Sequence, residues 1–308
     1  MSSATAFPLV SIVIPCYNYG RYVGQAIESA LAQTYAPKEV VVMDDGSTDD
    51  TLDVAGRYPV TLLCQANRGS AAAFNAGIRA SRGELFSLLD ADDVIHPDFL
   101  QRTVPVLREH PETAFVYTHA VTFGREHAVL LRREYDVRRL GQGGFMGGAC
   151  LVRRAAFEAT AGFDSALRHG EDWDLWLSLA ERGYAGRLVP RILFAYRKHA
   201  GGLAERNPLG LRWRSLIYLR RKHPTWIRRR WLARLAAYDL LFLLVTQARR
   251  LSPRGYEWLR GRARALRPRL GGVERRRPEE LTFGEGDDLG YEDMMRYLAS
   301  VGCEFQGS

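Results

Sequence analysis

The chain reads as an α/β protein with a mostly parallel, Rossmann-like sheet flanked by helices, followed by a helical appendage. Two observations predict this. Short apolar runs that end at polar turns alternate with segments of helical spacing. The balance of charge then changes abruptly near residue 205. The chain of 308 residues carries 43 Lys and Arg against 35 Asp and Glu, yet residues 205–277 alone hold 21 basic and 4 acidic residues. We read 1–204 as a catalytic domain, 205–277 as a basic amphipathic helical region and 278–308 as an acidic tail.

Residues 10–15 (VSIVIP) form a buried-type strand, and 17–20 (YNYG) a turn. Residues 21–33 place Tyr22, Ala26, Ile27, Ala30 and Leu31 on one helical side. A second strand, 39–43 (EVVVM), stops at DDGS, where Ser47 or Thr48 is expected to cap a helix beginning near Asp49. A third strand covers 60–64. The NRGS turn then leads into an alanine-rich helix, 71–80, and a fourth strand, 84–89, ends at Asp90. Next come a helix over 97–109 with Pro97 at an early position, strands at 115–117 and 147–152, a helix over 171–182 stopped by Gly183, and a strand at 192–196. Basic amphipathic helices are expected over 211–221 and 226–250. No internal repeat is evident.

Four scattered cysteines without metal-ligand spacing suit free thiols in a reducing cytoplasm. The N-terminus lacks a basic signal-type region, and the longest apolar run, 236–245, is about half a bilayer span and contains Asp239. Cytoplasmic placement is the expectation, with contact at the inner face of the membrane through 205–277. There, arginines interleave with Trp213, Tyr218, Trp226 and Trp231, as in an interfacial helix on anionic lipid. A solvated helical face or an oligomer contact is equally economical, and no nucleic-acid reader motif accompanies the charge.

Asp90-Ala91-Asp92-Asp93 is the most informative segment. Three carboxylates in four residues repel one another unless a cation or hydrogen-bond donors compensate. Carboxylate oxygens suit Mg²⁺ and Mn²⁺, which are commonly shared with a substrate diphosphate. As a turn alone, the segment could merely cap the next helix. In a parallel sheet, however, strand ends gather on one edge, so Tyr17, Asp45 and the acidic cluster can converge on one ligand. A tyrosine ring can stack on a base, and carboxylates can accept from a pyrimidine N–H and from ribose hydroxyls.

VSIVIPCYN, DDGSTDDT, NRGSAAAFNAGI, LLDADD, GEDWDLWLSLAERGY and YRKH, in this order over roughly 8–204, resemble the family 2 inverting glycosyltransferases of GT-A fold. The resemblance implies a nucleotide-sugar donor (a UDP-sugar by default), Mn²⁺ or Mg²⁺, and direct displacement with inversion onto an acceptor hydroxyl. The acceptor is a glycan, a lipid-linked precursor or a small molecule, as in polysaccharide or glycolipid synthesis. It places Pro15, Tyr17 and Asp45 at the nucleobase and Gly69 to Ala71 near the ribose and diphosphate, with Arg68 a candidate there. Asn75 follows Phe74 where many relatives carry an Arg-Asn pair. Asp90 is assigned to the ribose and Asp92 to the metal, with Asp93 a hydrogen-bond partner or further ligand. His199 approaches the metal or diphosphate.

Asp172 is the candidate general base, in the first turn of a helix whose dipole favours its ionised form, with Glu171 as a supporting hydrogen-bonder. One base and a metal-neutralised leaving group suffice, whereas a glycosidase needs two opposed carboxyls. Trp173 and Trp176 have core spacing, and Trp173, nearest the base, is the aromatic candidate for the acceptor side. Gly147 and Gly148 either leave room for an acceptor or serve a tight turn. Two other readings compete. A sugar-nucleotidyltransferase normally has a Gly-rich phosphate loop after the first strand, where this chain has Cys16-Tyr17-Asn18-Tyr19. A non-catalytic nucleotide-sugar or glycan-binding module would not need Asp92 and Asp172.

Overall fold

The computed structural model describes residues 7–142, 147–200, 209–248, 273–280 and 290–303. The expected basic region between 249 and 272, and residues 281–289 and 304–308 of the acidic tail, lie outside them.

The first half builds a parallel sheet. β1 (Val10–Cys16), β2 (Lys38–Asp44), β3 (Thr61–Cys64) and β4 (Leu85–Leu88) lie side by side in the order β3-β2-β1-β4. They are joined through α1 (Gly20–Leu31), the short α2 (Thr51–Ala55) and α3 (Ser70–Ala80). Every residue of β1 is buried, as its continuous apolar run requires in a sheet covered on both faces. Alternation divides that run. Val13 enters the core beneath α3 with Phe74 and Ile78, while Ile12 and Ile14 face α1 with Val23 and Ile27. The expected Ser47 or Thr48 cap is not formed. Ser47 Oγ instead accepts the Asn18 N–H at 2.9 Å, and α2 starts four residues later, at Thr51.

Beyond β4 the pairing changes. The two-residue β5 (Val94–Ile95) leads to α4 (Phe99–Glu109), which begins after Pro97. β6 (Thr113–Gly124) and β7 (Ala128–Arg132) form a hairpin, and α5 (Val137–Leu140) follows. β8 (Cys150–Arg153) lies antiparallel between β4 and β6 and runs into α6 (Arg154–Glu158). α7 (Glu171–Glu181) precedes β9 (Ala185–Lys198), which pairs with β6 in the longest parallel ladder of the sheet. The antiparallel members follow from connection length. The three residues between β6 and β7 cannot make the long crossover that a parallel return requires.

α8 (Leu209–Lys222) and α9 (Arg229–Ala248) pack back onto the body. Leu216, Leu219, Ile227 and Leu235 are buried in the α7 core, and Trp213, Trp226 and Trp231 pack against it. The tryptophans expected at a lipid interface are therefore turned inward, and Trp213 donates its indole N–H to Asp239 at 3.1 Å. Finally β10 (Val273–Arg276) extends the sheet beside β7, and α10 (Tyr291–Ser300) buries Met294 and Leu298 against Val121, Phe123 and Ile192. No helix of the described residues is long and apolar enough to cross a membrane.

Candidate active site

The carboxyl ends of β1, β2, β3 and β4 share one edge, which is where an open α/β sheet holds its ligands. The turns on that edge are tied together. Asn18, at φ 58°, accepts the Thr48 N–H at 2.7 Å, and the Tyr19 N–H reaches Thr51 Oγ1 at 2.9 Å. Asp44 accepts from the N–H groups of Gly46 and Ser47, at 3.0 Å each, closing its own turn. Asp45 is nearly fully buried and accepts from Gln65 Nε2 at 2.7 Å, from the Arg68 N–H at 2.9 Å and from the Gly69 N–H at 2.7 Å. Its carboxylate organises the β3–α3 loop. Gly69 sits there at φ +92°, a backbone conformation that side chains disfavour, immediately before α3. Arg68 has an exposed side chain.

Tyr17 stands 44% exposed at the mouth of this edge. Pro15 is buried within β1 opposite Met43, beyond the last residue that pairs with β4. Asn75 also has a packing task, because its amide exchanges two hydrogen bonds with the Phe163 backbone, at 2.8 and 3.0 Å.

The acidic cluster occupies the turn after β4. Asp90 is half-buried, and its carboxyl is pushed up to about 8 by burial, then by the charges of Asp92, Glu171 and Asp172. Asp93 is wholly buried and likewise raised, by burial and by Asp92 and Asp90, against the opposing effect of Arg197. Its Oδ1 accepts the Arg197 N–H at 2.8 Å, and its Oδ2 has no partner among the described residues. Asp92 Oδ2 lies 2.9 Å from His199 Nε2. The His199 ring is framed by Tyr22, at 4.6 Å between centroids, and Tyr19, at 6.1 Å. Arg197 steadies this corner, donating from Nε to the Asp92 carbonyl at 2.7 Å and from Nη2 to Gln25 Oε1 at 2.6 Å.

These groups suit a shared divalent cation better than a caged one. A carboxylate and an imidazole converge within hydrogen-bond distance, in a setting where crowded carboxyls hold protons that positive charge would displace. Among the described residues no group of three or more His, Cys, Asp or Glu is arranged to hold a metal ion by itself.

Asp172 opens α7 facing the cluster. Its Oδ1 accepts the Trp173 N–H at 2.7 Å. Burial and the Glu171 charge push its carboxyl up to about 6, against backbone N–H donors and the Arg132 charge, which favour the anion. Glu171 accepts from Ser70 Oγ at 2.6 Å, linking the starts of α3 and α7. Trp173 is a core residue, as its helical spacing indicated, and not the aromatic candidate for the acceptor side. Its indole N–H donates to the Leu140 carbonyl at 2.6 Å and its ring meets Trp231 edge-on. Trp176 is buried against Phe115, in keeping with its spacing. Gly148 is accounted for by packing, since a Cβ there would collide with the Phe194 ring.

Sequence reasoning missed Arg132, Tyr19, Tyr22 and Ser70. Arg132 lies in no motif, Tyr22 was legible only as a helix-face residue, and Tyr19 and Ser70 sit in the YNYG turn and the NRGS segment with no role of their own assigned; only the fold brings them to the site. Arg197 stood within the quoted YRKH segment, but the segment drew attention to His199 alone.

The family profile described as "Glycosyl transferase family 2" matches residues 11–160. Residues 11–160 belong to glycosyl transferase family 2. The family 2 region runs from β1 through α6 and holds Asp45, Asp90, Asp92 and Asp93, whereas Asp172 and His199 lie beyond it. The chain is 34% identical to the chondroitin synthase of Escherichia coli over 57% of its own length and 27% of that protein. It is 32% identical to an uncharacterized glycosyltransferase of Rickettsia typhi over 57% of its length and 60% of that protein. It thus spans less than two thirds of either relative. S. aureus TarS residues 1–349 in complex with UDP-GlcNAc superposes with a TM-score of 0.55 at 20% identity, covering 65% of this chain and 61% of that TarS chain. The mannosyltransferase PcManGT from Pyrobaculum calidifontis, in complex with GDP-Man and Mn²⁺, superposes with a TM-score of 0.53 at 21% identity, covering 85% of each chain. These likenesses show the GT-A α/β fold expected from the family 2 region.

Proposed function

We propose that this chain is an inverting glycosyltransferase that moves a sugar from a nucleotide-sugar donor to an acceptor hydroxyl with the help of a divalent cation. One observation carries the reading: Asp90, the Asp92–His199 pair and Asp172 gather at the carboxyl edge of a parallel half-sheet, close enough for Asp172 to raise the proton affinity of Asp90. The nucleotide-sugar and Mn²⁺ named with the structural neighbours support it.

In this reading Tyr17 offers its ring to the base, while Asp45 shapes the loop that places Arg68 and the Gly69 backbone beside the donor. Asp90 receives the ribose. Asp92 and His199 hold the cation, which when bound supplies Lewis-acid neutralisation of the departing diphosphate. Arg197 and Asp93 keep that corner in place.

Asp172 takes the proton from the acceptor hydroxyl as its oxygen attacks the anomeric carbon. A carboxyl titrating near 6 is ionised at neutral pH yet basic enough for partial proton transfer, which is the compromise a general base needs. The glycan, lipid-linked or small-molecule acceptor approaches from the Gly147 side, where this carboxylate lies. Exposed Arg214, Arg221 and Arg234, with Ile217 and Leu240, support contact of α8 and α9 with an anionic membrane face.

Asp172→Asn tests the assignment. Transfer from a panel of nucleotide sugars should fall about a hundredfold or more, while thermal stabilisation by the donor with Mn²⁺ persists. A variant that transfers at the parent rate would show that another group takes the proton.

A further inference from the structure

Arg132, the last residue of β7, belongs to no motif and to none of the roles above. It is only 6% exposed, although an arginine is seldom buried without compensation. Its Nη2 donates to the Gly147 carbonyl, and its guanidinium lies 5.7 Å from the centre of the Phe194 ring. Nη1 is buried and has no partner among the described residues. A buried donor left bare is costly, and a native structure that keeps one calls for an account of what it does.

Gly147 links this cation to the base. A Cβ placed on Gly147 would stand 3.4 Å from Asp172 Oδ2, so the glycine lies directly against the carboxylate, with the guanidinium bound to its carbonyl. We propose that Arg132 is a positioning residue for transfer, bracing the Gly147 backbone against Asp172 and holding that carboxylate in its anionic, proton-accepting form. The proposal rests on Asp172 as the base.

The surrounding charges agree. Glu171 on α7 works against ionisation of Asp172, and Arg132 is the cation that opposes it. Asp90, in the turn after β4, is a further carboxyl beside the α7 pair, itself pushed up to about 8 by burial and by the charges of Asp92, Glu171 and Asp172. Around the guanidinium, His119 on β6 accepts the Arg132 N–H at 3.1 Å and is pushed down to about 4 by burial and by Arg132, so it stays neutral. Buried Cys150 and Tyr117 are raised and also neutral, while Asp93 adds a second carboxyl within range. Burial lowers the guanidinium's own affinity for its proton, but an arginine starts so high that it remains charged. Phe194 and Gly148 close the far side, so solvent does not dilute the interaction.

Arg132→Met and Arg132→Lys, assayed for the pH dependence of kcat/KM, decide the matter beside Asp172→Asn. In the Met variant the acid limb of the profile should rise by about one pH unit, the effect of losing a nearby opposite charge. The stabilisation by donor and Mn²⁺ should be retained. The Lys variant keeps the charge and should leave the limb in place. An unshifted limb in the Met variant overturns the proposal. If the Met variant fails to fold, the Lys variant decides alone, and a limb displaced despite the retained charge overturns it. Should Asp172→Asn remain active, the base assignment itself has failed. An inactive Asp172→Asn with an unmoved limb in Arg132→Met removes Arg132 only.

Discussion

Asp92 and His199 are 107 residues apart in sequence and 2.9 Å apart in space. Asp92 Oδ2 meets His199 Nε2 while His199 Nδ1 lies 3.2 Å from the Ala200 carbonyl, which makes the pair a sensitive probe of the proposed cation. Asp92→Ala should abolish the part of donor-induced thermal stabilisation that depends on Mn²⁺, because a ligand that no longer binds the native state no longer raises its Tm. An undiminished Mn²⁺ titration would remove Asp92 from the ligand set. At this scale the residue types were legible in sequence, since clustered carboxylates after an apolar run announce a ligand edge. Their precise tasks were not. Asp45 binds three donors of the β3–α3 loop, Asn75 pins the Phe163 backbone and Trp173 fills the core. Residue identity shows what a side chain can donate or accept, and only its neighbours show whether that capacity is already used.

Elements carry the second lesson through α7 and α8. Asp174 on α7 is wholly buried, yet Lys222 Nζ and His223 Nε2 each approach it at 2.8 Å, and His223 Nδ1 approaches Glu181 at 2.8 Å. Burial alone would lower the His223 pKa, but the two carboxylates outweigh it and the imidazolium is favoured. A raised folded-state pKa contributes stability that is fully present below about pH 6.5, the unfolded value, and is lost as pH rises through the folded value. Urea unfolding of the parent should therefore show stability declining above about pH 6.5, and His223→Gln should flatten that part of the profile. An identical slope in both proteins would mean that His223 does not govern the docking of α8. The helices themselves were readable from 3.6-residue periodicity and from stops such as Gly183. Their docking partners were not, because a buried Asp–His–Lys contact between residues nearly 50 apart leaves no local periodicity.

Across the whole molecule, the end of the chain returns to the site. α10 seals the face of β6 and β9 with Met294 and Leu298, and Gln25 donates to the carbonyls of Val301 and Gly302 at 3.1 and 3.2 Å. The same Gln25 accepts from Arg197, which in turn holds Asp92 and Asp93, so the C-terminal segment is joined to the acidic turn by a continuous chain of hydrogen bonds. Leu298→Ala should cost about 2–5 kcal/mol in urea unfolding, as expected for a fully buried leucine. A loss below about 0.5 kcal/mol, the range of surface substitutions, would mean that α10 is not docked in solution.

The sequence by itself determined the parallel half-sheet, the helices on both of its faces and the acidic edge with its family resemblance. Those features are written in local patterns: continuous apolar strands, helical spacing and polar stops. Only the tertiary structure decided the antiparallel half, the inward turn of Trp213 and Trp231, the return of α10 and the burial of Arg132 beside the Gly147 and Asp172 pair. Each depends on which distant surfaces meet, and the free energy of such contacts is set by burial and by partners far along the chain rather than by neighbours in it.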